Sequence, residues 1–192
     1  MIKLLNKKLV KLLIDNNYKI SFAESCTGGL LAHKIVSVAD ASKVLDESYV
    51  TYANEAKIKL LNVNDDDIKK YGVVSEIVAI EMARGLKKVS NAEICVSTSG
   101  IAGPSGGSAQ KPVGTVCFGF IVDDKEYQIT KHFKNFGRQY VRNQAYKFVF
   151  KFLIKELRWF KNLLPVLTLG SIFNWRLMWW LKELFLTLMV FW

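Results

Sequence analysis

Residues 19–36 read KISFAESCTGGLLAHKIV. KISFA (19–23) has the composition of a short strand, ESCTGG (24–29) that of a tight glycine turn, and from Leu30 the apolar spacing becomes helical. A strand that passes straight through such a turn into a helix lifts the turn residues off the end of a sheet. It also gathers backbone N–H groups at the helix start, where an oxyanion or a phosphate can be held. The residue on this turn that can do covalent chemistry is Ser25; Cys26 is its rival, because a helix start lowers a thiol's pKa. Capping of the helix by Ser25 or Thr27 is the purely structural alternative.

Outward from this unit the pattern alternates. Leu5, Leu9, Leu12 and Leu13 recur at helical spacing within residues 3–16. ESYVTY (47–52) is rich in β-formers, and NEAKIKLL (54–61) is helical after it. Asp65, Asp66 and Asp67 can cap a short helix, and Ser75 the next, whose apolar face carries Ile77, Ile80, Ala83 and Leu86. EICVSTS (93–99) reads as a buried strand, followed by the loop GIAGPSGGSAQKP (100–112). Loops of that length without structure of their own usually have a job. VGTVCFGFIV (113–122) and EYQITKHF (126–133) form a hairpin across a DDK turn, and 138–157 is a final helix with Val141, Ala145, Phe148 and Phe152 on one face. The expectation is α/β: a single layered domain over 1–157, with a mixed β-sheet flanked by helices.

Composition narrows the function classes. The chain has 192 residues and a formal net charge of +10. That balance favours anionic ligands, but the lysines are scattered and form no arm that would track a phosphate backbone, so no nucleic-acid partner is expected. Cys26, Cys95 and Cys117 form neither a disulfide framework nor a Cys-x-x-Cys metal motif, which points to a reducing, cytoplasmic setting. All five tryptophans (Trp159, Trp175, Trp179, Trp180, Trp192) follow residue 157. The stretch 158–192 is therefore an atypical apolar tail: a membrane or partner helix, an apolar extension packed on the domain, or sequence foreign to the fold.

A serine nucleophile needs a base, and Lys57 can serve if desolvation keeps it neutral; an exposed helical lysine is the alternative. Tyr52 lies at the same strand-to-helix junction. The loop 97–107 is a second glycine-rich turn after a strand, of the kind that cradles phosphate, but it matches neither a Walker loop nor a dinucleotide fingerprint. Arg138 and Arg142 at the start of the last helix can pair with a phosphate.

AESCTGGLLA (23–32), YVTYANEAK (49–57), GVVSE (72–76), SGIAGPSGGSAQKPVGTV (99–116) and the RxxxRxQA run at 138–145 resemble the C-terminal domain of the competence/damage-inducible protein CinA, in order, over about residues 3–155. Stand-alone members of that family deamidate nicotinamide mononucleotide to nicotinate mononucleotide and ammonia. The resemblance implies Ser25 as nucleophile, Lys57 as its general base and Tyr52 in support. It further implies oxyanion donors near Thr27, Gly28 and Gly29 or near Ser99 and Gly100. The phosphate would be held by the loop of Gly103, Gly106 and Gly107 and by Arg138, with Arg142 as second choice. It implies a small-molecule nucleotide substrate, no metal, no cofactor and a homo-oligomer. Ser99 stands where many relatives carry threonine, and the tail has no counterpart in the family. The competing reading is a nucleotide-binding accessory module that performs no chemistry.

Overall fold

A computed structural model describes the backbone of residues 2–168 and the side chains of residues 4–158. The chain divides into a unit spanning Met1–Lys155 and a second beginning at Glu156; the fold and site belong to the first. Of the tail expected at 158–192, the backbone is described as far as Thr168, as helix, and the rest lies outside the described residues.

The order is α1 (Ile2–Asp15), β1 (Ile20–Glu24), α2 (Leu30–Val36), a 3₁₀ turn (Ala41–Lys43), β2 (Tyr49–Val50), α3 (Asn54–Leu61), α4 (Asp65–Tyr71), α5 (Glu76–Ser90), β3 (Ile94–Gly100), β4 (Thr115–Val122), β5 (Lys125–His132) and α6 (Arg138–Thr168). The five strands form one sheet in the order β2-β1-β3-β4-β5. β1 pairs parallel with both β2 and β3, while β3–β4 and β4–β5 are antiparallel. The mixed α/β sheet read from the sequence is the fold. From β1 the chain goes first to one neighbour, β2, and then through α3, α4 and α5 to the other, β3. This reversal is a topological switch point, and the crevice beyond the carboxyl ends of β1 and β3 is where such sheets bind ligands.

Strand alternation separates the two cores. On β4, Phe118 and Phe120 meet α6, with the Phe118–Phe148 and Phe120–Phe152 ring centroids 4.8 and 4.3 Å apart. On the opposite face Gly119 leaves room for the Ala79 carbonyl of α5, into which a Cβ would collide. Gly119→Val is therefore expected to destabilise the domain by at least about 2 kcal/mol, seen as a Tm roughly 5 °C or more lower in a thermal melt.

Several local expectations are corrected. β2 pairs over only Tyr49–Val50, because the chain leaves the β1 edge at Thr51, whose N–H still reaches the Glu24 carbonyl at 2.9 Å. Asn64, not the aspartates, caps α4, accepting the Asp66 N–H at 2.9 Å; Asp65–Asp67 occupy the first turn, where their charge complements the helix dipole. Ser75 does cap α5. On that helix Ile80, Ala83 and Leu86 are buried, and Ile77 only partly. α6 buries Val141, Ala145, Tyr146, Val149 and Phe150, with Phe148 and Phe152 part-exposed against the sheet, and its backbone continues past 157 to Thr168. Among the described residues no helix is long and apolar enough to cross a membrane.

Candidate active site

β1 is buried along its whole length, and its last pairing extends one residue further: the Ser25 N–H donates to the Thr98 carbonyl of β3 at 3.0 Å. The chain then turns. Gly28 N–H closes onto the Ser25 carbonyl at 3.1 Å, and Gly28 and Gly29 adopt φ of +57° and +85°. A side chain at either place would be strained, so the tight turn needs both glycines. Glu24, 1% exposed, directs its carboxylate onto the start of α2 and accepts the N–H groups of Leu31 and Ala32 at 3.0 and 2.9 Å. The sequence suggested that this helix start would hold a ligand's anion; instead the chain's own carboxylate takes it.

Ser25 is 8% exposed at the rim of a cavity of about 190 Å³ that opens beyond β1 and β3. Lys57 is fully buried, and its Nζ lies 3.2 Å from Ser25 Oγ. The chain leaving β2 wraps this amine, with the carbonyls of Thr51, Tyr52 and Ala53 at 2.9, 3.2 and 3.4 Å. Burial pushes the Lys57 pKa below the usual lysine value, against smaller opposing contributions from Cys26 and Glu55. In this geometry Nζ donates to Ser25 Oγ and to the carbonyls; once neutral, the same amine has two N–H groups left for carbonyls and a lone pair that can face the Ser25 hydroxyl. The exposed-lysine alternative is excluded by this burial.

Cys26 lines the same cavity but is 5% exposed, and burial pushes its pKa to about 12. It stays a thiol near neutral pH, which removes the advantage it held on paper.

The other expected residues divide into two sets. Tyr52, Ser99, Gly100 and Arg138 line the cavity with Ser25 and Lys57. The Tyr52 hydroxyl does not touch the serine–lysine pair; it accepts from Arg138 Nη2 at 2.9 Å, and the residue meets Lys57 through its backbone carbonyl. Arg138 Nη1 donates to the Gly103 carbonyl at 3.0 Å, which ties the glycine-rich loop to the rim. Ser99 Oγ donates to the Val73 carbonyl at 2.7 Å.

Thr27, Gly28, Gly29, Gly103, Gly106, Gly107 and Arg142 are not on the cavity wall. Thr27 is fully buried, with its hydroxyl 2.8 Å from that of Thr98. Arg142 donates through Nε and Nη2 to the Thr27 carbonyl at 3.1 and 2.6 Å, so it braces the turn that follows Ser25. Gly106 and Gly107 are exposed. Among the described residues no group of three or more His, Cys, Asp or Glu could hold a metal ion.

Asn54, Val73 and Val74 also line the cavity and were not singled out in the sequence. Asn54 carried a signal: it precedes Lys57 by three residues on one helix, which places both side chains on one face.

A family model described as the CinA C-terminal domain matches residues 2–157. A CinA-like protein of Petrotoga mobilis is 47% identical over 148 residues, which is 77% of this chain and 36% of that protein. The chain thus spans about a third of the length of such CinA-like relatives. A nicotinamide-nucleotide amidohydrolase PncC of Enterobacter agglomerans is 46% identical over 137 residues, covering 71% of this chain and 84% of that protein. Among solved structures, a CinA superfamily protein of Klebsiella pneumoniae superposes with a TM-score of 0.79 at 31% identity, over 82% of this chain and 98% of that one. A competence/damage-inducible protein of Agrobacterium tumefaciens gives 0.78 at 34% identity, over 82% and 95%. The family-model match over residues 2–157, on a fold shared with these structures, shows that the chain belongs to the CinA C-terminal domain family.

Proposed function

We propose that this domain is an amidohydrolase that deamidates nicotinamide mononucleotide through a Ser25 acyl-enzyme, with Lys57 as general base. The observation that carries the reading is the 3.2 Å approach of a buried amine to the Ser25 hydroxyl. Burying an amine that does no chemistry is costly, whereas a neutral lysine beside a serine is what nucleophile activation requires. The similarity to the amidohydrolase of Enterobacter agglomerans supports the substrate class.

In this reading Lys57 Nζ accepts the Ser25 proton as Oγ bonds to the carboxamide carbon. Backbone N–H groups on the cavity wall, at Cys26 beside Ser25 or on the Ser99–Gly100 side, hold the oxyanion, a contribution of about 3 kcal/mol per donor. Collapse breaks the C–N bond, and the leaving nitrogen takes the proton from Lys57 and departs as ammonia. Water then attacks the acyl ester as Lys57 accepts its proton; the C–Oγ bond breaks, Lys57 returns that proton to Ser25 Oγ, and the acid leaves as its carboxylate with the remaining proton lost to solvent.

The cavity of about 190 Å³ is below the ~300 Å³ at which sites for drug-sized ligands begin. It suits the ring and amide, against Val73 and Val74, and leaves the ribose phosphate at the rim where Arg138 stands. Arg138→Ala is expected to raise KM for the mononucleotide roughly tenfold or more, the worth of one charge-assisted hydrogen bond. Hydrolysis of free nicotinamide, which has no phosphate, should change little. Steady-state assays of ammonia release on both substrates test this. An accessory module without chemistry would bind the mononucleotide and release no ammonia.

A further inference from the structure

We infer that Asn54 reads the substrate's amide group, accepting a hydrogen bond from the carboxamide N–H that becomes the leaving nitrogen. The inference rests on the amidohydrolase reading and adds to it a residue that selects amides. Asn54 is the first residue of α3 and lines the cavity with Ser25 and Lys57. Lys57 follows it three positions on, so the two side chains lie about one turn apart on the same face.

Its state differs from that of its polar neighbours. Lys57 is held by three carbonyls, Ser99 by the Val73 carbonyl, and Tyr52 and Arg138 by each other. The Asn54 side chain has no hydrogen bond among those described, and it is exposed to solvent at the mouth. It is also the one primary amide on the cavity wall, offering an acceptor and a donor to a substrate group of the same kind. Ser25 attacks the carbonyl carbon and the oxygen turns to backbone donors, so the remaining face of the substrate amide is its NH₂, on the lysine's side. An acceptor one turn from Lys57 fixes that nitrogen where Lys57 can protonate it. A site built to meet an N–H discriminates against an analogue that lacks one.

The test compares nicotinamide mononucleotide with the methyl ester of nicotinate mononucleotide, which presents the same carbonyl, ring and phosphate but no N–H. Wild type, Asn54→Ala and Asn54→Asp are assayed for kcat/KM on both. Asn54→Ala should lower the amide-to-ester ratio roughly tenfold. Asn54→Asp keeps an acceptor and should hold the ratio within about threefold of wild type, even where its charge alters the lysine and slows both reactions. The ratio is the readout because a merely structural effect lowers amide and ester together. An unchanged ratio in Asn54→Ala overturns the inference and leaves the amidohydrolase reading intact. A wild-type protein that cleaves neither substrate overturns both.

Discussion

Ser25→Ala is expected to lower kcat for carboxamide hydrolysis by about 10⁴-fold or more, the scale on which hydrolases lose a nucleophile. The fold should not notice. Ser25 Oγ touches Lys57, and that amine keeps its carbonyl partners when the hydroxyl is gone. The expected change in Tm is within about 2 °C. Cys26→Ala is the control from the same turn, and it should retain activity within about tenfold, because a thiol whose pKa burial has pushed to about 12 supplies almost no thiolate at neutral pH. Ammonia release and melting curves for the two variants, measured side by side, separate a lost nucleophile from a damaged turn. An active Ser25→Ala protein with a dead Cys26→Ala protein would reverse the assignment.

Lys57 has the second large effect. Lys57→Met and Lys57→Arg should each lower kcat by about 10³-fold or more. The arginine variant is the informative one. It keeps a long basic side chain, yet a guanidinium cannot become neutral at any working pH and so cannot accept the serine proton. The wild-type pH profile carries the same information with a definite sign. Protonated Lys57 has no lone pair, so kcat/KM must fall as pH drops through the lysine's pKa and rise to a plateau above it. Burial places that pKa below the ordinary lysine value, so the limb lies below the pH at which a solvent-exposed lysine titrates. A limb at the ordinary lysine position would mean that the amine is charged at rest and does something other than accept a proton.

Much of the fold was legible because period and punctuation agree with tertiary context. KISFA, the glycine turn and the hairpin each stand within a residue or two of their expected places. β2 was overextended because ESYVTY has strand composition throughout, and composition cannot show that the sheet edge ends at Val50. That ending matters to the site. The three residues that leave the edge supply the carbonyls around Lys57, so the lysine's burial comes from the path of the chain rather than from its own helix. Sequence alone pointed first to an exposed helical lysine.

The arginines show a second limit. Arg138 and Arg142 lie four residues apart on one helix and look interchangeable in sequence. One helical turn of rise puts the first on Tyr52 and the Gly103 carbonyl, and the second on the Thr27 carbonyl. Glu24 was passed over because a carboxylate inside a buried strand has no evident use until the helix that it caps is placed beside it. These are contacts between segments far apart in the chain, which periodicity does not encode.

The most direct test is the mass of the protein itself, quenched in acid at successive times after mixing with excess nicotinamide mononucleotide and then mapped by peptide. The expected result is an adduct of the nicotinate mononucleotide acyl group on the peptide that contains Ser25, carried by the serine and absent from Ser25→Ala. Turnover with no adduct at any time, or an adduct carried by Cys26, would contradict a serine acyl-enzyme.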